Sequence, residues 1–410
     1  MEVVPIGAMS AFGQFHSKIA SIIIFILLFL SLLSFTMFGN TQVVNVLILG
    51  TVFGICMLWS SRHDEYIELP RFIFLPLLAI WAFFIISSVT VSPTISQSVL
   101  QTVAAIAISG TAIFIIPKVY SSGSFLFHIF LISFVLGLFS VLALILPLES
   151  IGPVELLRAV PYEEYVIFGE ARYGEVPIAG LENPNQLSVV LLPGVLAGVS
   201  YLRTAVSKKP MSEIVISGIA LLFPLISLIL TRSRGGFIAL IVGVVTFIAI
   251  HHFSTTIVRI FCLSGIIGSL LVLAPTGIGP VPSLIELVSE PRAWRWKHAI
   301  DSMQKQPFLG YGPGNSRLAT QSGTQPHNAY YMLGLWGGLG PFILYLYMFA
   351  RILLVSVRDR VNTMPAVFPA ILTSYWIYSL FESVTIFHFT APSVILVVTF
   401  GFVAHSFVTD

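Results

Sequence analysis

Long apolar runs, most of them about 20 positions long, alternate along this chain with short polar connectors. Hydrocarbon offers no partner to an unpaired backbone amide, so each run predicts a membrane-spanning helix. Twelve runs qualify: 19–38, 43–61, 72–91, 99–117, 125–147, 186–203, 213–231, 235–252, 256–274, 328–350, 363–381 and 386–405. Several are rich in β-branched residues, which weaken a helix in water; in lipid the alternative is an unsatisfied backbone, not a strand. The first run is too long, and too poorly flanked by small residues, for a cleaved signal peptide and should stay as an anchor. The pattern predicts an all-α polytopic membrane protein of about twelve transmembrane helices. Residues 1–185 would hold five spans and a first outer loop at about 148–183. Residues 186–410 would hold seven spans and a second outer loop at about 275–327.

Composition sharpens this picture. Of 410 residues, 56% are hydrophobic and 9% charged, against about 25% charged in a soluble domain. Mean hydropathy is +0.96. A soluble enzyme, a disordered chain, a disulfide-stapled secreted domain and a nucleic-acid binder are all excluded. Net charge is +2, too small to point to a partner. Cys56 and Cys262 fall inside apolar runs and read as buried thiols.

Orientation follows the lysines and arginines. With the N-terminus inside, the cytoplasmic connectors hold Lys18, Arg62, Arg71, Lys118, Arg203, Lys208, Lys209, Arg259, Arg351, Arg358 and Arg360, whereas 39–42, 92–98 and 382–385 hold none. Both termini are therefore expected in the cytoplasm, with the two long loops outside. The first of these loops carries seven glutamates against Arg158 and Arg172. The cytoplasmic side offers only short connectors and no glycine-rich phosphate loop, which argues against direct use of a nucleotide.

One short outer turn breaks the charge rule: Thr231-Arg232-Ser233-Arg234-Gly235-Gly236. Arginines there are costly unless an anion holds them or they snorkel to headgroups. The second loop is the most organised polar stretch. Residues 291–300 read as a short amphipathic helix at the interface, with Trp294 and Trp296 at headgroup depth and Arg292, Arg295 and Lys297 above them. Gln306–Asn315 contains Gly310, Tyr311, Gly312 and Gly314, so it should be a shaped turn with positive φ angles. His327-Asn328 then leads into the tenth span. His327 is the candidate general base, with Asn328 orienting it or bonding substrate hydroxyls. His298 and His388 are lesser candidates. Guanidinium groups beside a histidine at the outer leaflet suit a lipid phosphate. The outer carboxylates lack metal-ligand spacing, so no metal and no cofactor are expected. Glu382, at the outer end of the eleventh span, would be solvated or would pair with a site arginine.

These residues resemble the O-antigen ligase/polymerase family of bacterial envelope glycosyltransferases. The likeness rests on Glu182-Asn183-Pro184-Asn185-Gln186-Leu187, Ser233-Arg234-Gly235-Gly236, Arg292 followed by Trp296, Pro307 and Gly310–Gly314, and His327-Asn328 followed by Gly338-Leu339. They stand in the family's order over about 182–340. Trp336 and Pro341 depart from the ligase pattern. The resemblance implies a GT-C fold in the bacterial inner membrane with a periplasmic active site. The donor would be an undecaprenyl-diphosphate-linked glycan. The acceptor would be lipid A–core or a growing glycan, with inversion and without a metal ion. By motif, Arg234 and Arg292 would bind the diphosphate and His327 would activate the acceptor. Arg232, Asn328, Asn185, Arg295 and Tyr311 are the further substrate-binding candidates.

Three functions fit. The histidine motif favours a ligase acting on lipid A–core. The two outer loops, with Arg158 and Gly169, also suit a polymerase that extends the glycan on its carrier. A transporter is the alternative from another class, but the twelve spans hold no Asp, Glu, Lys or Arg away from their ends.

Overall fold

A computed structural model of the chain describes residues 70–407, leaving aside 147, 152–153, 160–164, 168–169, 173–174, 180, 182, 274–291, 321–322, 324, 359–364 and 389. The first two expected spans, Cys56, Glu182 and the start of the second outer loop lie outside the described residues. The helices begin with α1 (Arg71–Thr90), α2 (Ile95–Gly110), α3 (Ser122–Ile145), α4 (Pro184–Lys208), α5 (Met211–Leu230) and α6 (Arg234–His252). They continue with α7 (Thr255–Leu273), α8 (Ala293–Lys305), α9 (Ala329–Gly337), α10 (Leu339–Arg358), α11 (Val367–Tyr378) and α12 (Ala391–Ser406). A π-helical turn, Thr111–Ile115, and a last turn, Ile116–Val119, prolong α2.

Among the described residues, seven helical segments are long and apolar enough to cross a membrane: α1, α2 with its extension to Lys118, α3, α4, α5, α6 and α10 as far as Ser356. The apolar stretches Thr255–Ser269, Val367–Tyr378 and Pro392–Ser406 are shorter. Leu75, Ile216 and Ile241 are exposed on helix surfaces, a surface suited to hydrocarbon and liable to associate in water.

The expected tenth span, 328–350, is not one helix. It breaks between α9 and α10 at Gly338, whose φ is +81°. A Cβ there would lie 2.4 Å from the Phe308 carbonyl oxygen, so only glycine lets the two backbones approach so closely. The last carbonyls of α9 would otherwise be orphaned. They are satisfied by the glycine-rich turn instead: Tyr311 N donates to Leu335 O at 2.7 Å and Gly312 N to Trp336 O at 3.0 Å. The positive φ values expected in that turn are present at Gly310, Gly312 and Gly314.

The segment expected as the first outer loop is more ordered than a loop. Short antiparallel ribbons pair β1 (Ser150–Ile151) with β2 (Val154–Glu155), β3 (Leu157–Ala159) with β6 (Glu175–Pro177), and β4 (Tyr165–Ile167) with β5 (Glu170–Arg172). Leu156, Leu157 and Val176 are buried where the β3–β6 stem meets α3.

The chain forms two compact units, 110–237 with 390–402, and 70–109 with 238–389 and 403–407. In the first, α3, α4 and α5 pack together through small residues. A Cβ on Gly194 would strike Ser133 Oγ, and one on Gly137 the Pro224 backbone. In the second, α1, α7, α9 and α11 pack against α10. Its core is aromatic: the Tyr330 ring lies 5.4 Å from Trp376 and 5.9 Å from Tyr345. Two polar groups in that core are paired: Trp376 Nε1 donates to Ser269 Oγ and Tyr330 OH to the Trp376 carbonyl.

Candidate functional site

The first unit carries Asn185, Arg232 and Arg234. Asn183 precedes Pro184, the first residue of α4, and its Oδ1 accepts from Gln186 N at 3.0 Å. This is an N-cap with proline at N1, which the sequence states directly. Asn185 lies in the first turn, half-buried, and its carbonyl accepts from Ser188 Oγ. Ser233 plays the same capping part for α6, its Oγ accepting from Gly236 N at 3.3 Å. A Cβ on Gly236 would fall 2.6 Å from Ser188 Oγ. Gly236 therefore allows the starts of α4 and α6 to lie side by side, with two sets of helix N–H groups and two positive dipole ends together. Arg234 is exposed at the first position of α6, and Arg232 is half-buried with a left-handed φ of +56°.

The second unit carries the histidine. His327 also has a left-handed φ, +48°. Of the three non-glycine residues in that region among the described residues, two are His327 and Arg232. Such a conformation costs about 1–3 kcal/mol and persists only where neighbours enforce it. The neighbours are identifiable. Trp296 Nε1 donates to the Pro326 carbonyl at 3.1 Å, and Ala329 N to the Ser379 carbonyl at 2.9 Å. Asn328, fully buried, accepts from Tyr330 N and Tyr331 N on Oδ1 while its Nδ2 donates to the Leu380 carbonyl.

These tethers draw the end of α11 up to the start of α9, and Glu382 follows. Its Oε2 lies 3.1 Å from His327 Nδ1 and its Oε1 accepts from Arg292 Nη2 at 3.0 Å. Arg292 Nη1 donates to the Phe381 carbonyl. The three side chains are partly buried, with 26% of Arg292, 34% of His327 and 15% of Glu382 exposed. A carboxylate held by a guanidinium can accept a hydrogen from Nδ1 across the His327–Glu382 contact. In the neutral ring with its hydrogen on Nδ1, the lone pair would lie on Nε2, at the far edge.

The other candidates make contacts of their own. Asn328 does not face a substrate: it is buried and caps α9. Tyr311 is a tether as well, its OH donating to the Ser302 carbonyl at 3.2 Å, and burial raises its phenol above the ordinary value. Arg295 lies over the exposed ring of Trp294, 5.4 Å from its centroid, one turn along from the cluster. Trp296 is buried, packed against Tyr331, and is not a headgroup anchor, because its indole N–H is needed beneath Pro326. His298 packs edge-on to Trp294, its ring centre 5.7 Å away, and His388 lies 5.9 Å from Trp336. Neither makes the contact to Glu382 that His327 makes.

Glu382 is the hub that the sequence reading undervalued. Its signal was present: it is the only charged residue between Arg360 and Asp410. A single carboxylate in so apolar a stretch is costly unless paired.

No protein-family model matches the chain, and no characterised protein or solved structure shows significant similarity to it.

Proposed function

We propose that this protein is a membrane glycosyltransferase that moves a glycan from undecaprenyl diphosphate to a sugar hydroxyl. We take it to be of the O-antigen ligase type, with lipid A–core as acceptor and a GT-C architecture. The observation that supports this reading is the Arg292–Glu382–His327 cluster, a guanidinium and an imidazole held on one carboxylate in a partly buried site. His327 Nε2 takes the proton of the acceptor hydroxyl as its oxygen attacks the anomeric carbon. The bond from that carbon to the diphosphate oxygen breaks, and its electron pair leaves with the diphosphate. Arg292 faces that developing charge, the place where a preorganised cation contributes most. Attack opposite the leaving group inverts the anomeric carbon. Arg234, which carries the other arginine motif of the resemblance, is by itself a candidate ligand for phosphate oxygens, and Arg232 is its neighbour in sequence.

The lysine and arginine pattern supports a periplasmic active site in the bacterial inner membrane, with both termini cytoplasmic. The test is incubation of the purified protein with an undecaprenyl-diphosphate-linked glycan, with and without lipid A–core. Glycan attached to lipid A–core is the expected result. A ladder on the carrier, with or without lipid A–core, would assign a polymerase. Movement of intact donor between leaflets without a new glycosidic bond would assign a transporter.

A further inference from the structure

Glu382 does more than neutralise Arg292. Its two oxygens are divided: Oε1 accepts from Arg292 Nη2 and Oε2 meets His327 Nδ1. We infer that Glu382 is a positioning residue that fixes the tautomer of His327, using Arg292 as the reference that orients its own carboxylate. This rests on the proposed role of His327 as base.

Donors and acceptors decide which ring nitrogen carries the hydrogen. Arginine only donates. Whatever stands at 382 must therefore present an acceptor to Arg292. A carboxylate has a second acceptor left for Nδ1–H, which leaves Nε2 unprotonated and able to take a proton. A glutamine has one acceptor and one donor. Its amide oxygen must turn to Arg292, so its NH2 meets Nδ1, which then has to accept. The ring hydrogen moves to Nε2, and the base is lost with the geometry intact. The same logic governs carboxylate–histidine pairs in hydrolases, where the amide variant holds the wrong tautomer.

An unusual ranking follows. Glu382→Gln is nearly isosteric and retains the Arg292 contact, yet it should damage turnover at least as much as Glu382→Ala, which leaves His327 free to take either tautomer. A residue that served only to hold Arg292, or only to pack, would give the opposite order.

The experiment pairs kinetics with spectroscopy on the full chain in detergent. Glu382→Gln should lower kcat by about 10²–10⁴-fold with the KM for the lipid-linked glycan changed by less than about threefold. Imidazole ¹⁵N spectra, with the His327 signal identified by its loss in His327→Ala, should show Nδ1–H in the parent and Nε2–H in Glu382→Gln. An Nε2–H tautomer already present in the parent, or an unchanged tautomer in Glu382→Gln, would overturn the inference. So would an effect of Glu382→Gln confined to KM. If the tautomer switches as described but even the parent transfers no glycan, the positioning role stands and the proposed function falls.

Discussion

Two regions supply arginines to this protein, and they are built differently. The Thr231–Gly236 turn of the first unit is local: Ser233 caps the helix that Arg234 opens, and Thr231 Oγ1 accepts from Ser233 N at 3.3 Å. These two bonds span no more than three residues, and α4 adjoins the turn where Ser188 meets Gly236. The cluster of the second unit is assembled from afar. Glu382 is 90 residues from Arg292 and 55 from His327. In the turn, an exposed arginine can be replaced without leaving a buried group behind. In the cluster, each member satisfies another, and removing one leaves a partly buried charge or donor unpaired, at a cost above that of the lost contact.

The comparison is tested first at the residue with the largest expected effect. His327→Ala should slow glycan transfer by about 10²–10⁴-fold while the lipid-linked glycan still binds, because the guanidinium groups remain. Equal losses of transfer and of binding would place His327 among the binding groups and dissolve the contrast. The arginines come next. Arg292→Lys should lower kcat/KM by about 10–100-fold, since lysine reaches neither the Phe381 carbonyl nor Glu382 in the same fork. Arg234→Lys, in the local turn, should lose about tenfold or less. Initial rates of transfer decide it; a larger loss at Arg234 would reverse the ranking. The smallest effects lie in the caps. Asn328→Ala should destabilise by about 1–2 kcal/mol and Ser233→Ala by about half that, because Asn328 ties α9 to Leu380 as well as capping it. Thermal unfolding in detergent reads this, and equal shifts would mean that the Leu380 tether contributes nothing.

The same contrast explains how much was legible in the sequence. Apolar runs of helical length located α1 to α6 closely, because backbone satisfaction in hydrocarbon leaves few alternatives. One local signal succeeded too, the positive φ at Gly310, Gly312 and Gly314; the caps Asn183 and Ser233 are equally local. What failed was long-range. Gly337-Gly338 inside an apolar run passed for part of a span, because the break depends on Phe308 lying against Gly338, and Phe308 is 30 residues away. The β3–β6 stem depends on the buried Leu157 and Val176 meeting α3. Asn328 looks like a substrate ligand in a list of polar residues, and only its burial and its bonds to Leu380, Tyr330 and Tyr331 show it to be scaffold. Trp296 looked like a lipid anchor for the same reason. Glu382 was visible as an isolated charge, but its partners could not be chosen from the sequence.

The central claim is that His327 activates an acceptor hydroxyl for a single displacement of the diphosphate that Arg292 faces. The most direct measurement is the anomeric configuration of the new linkage, read by NMR on product formed from a lipid-linked glycan of known configuration, together with the intact mass of protein quenched during turnover. Inversion, with no sugar on the protein, is the predicted result. Retention of configuration, or a glycan adduct on the chain, would contradict it.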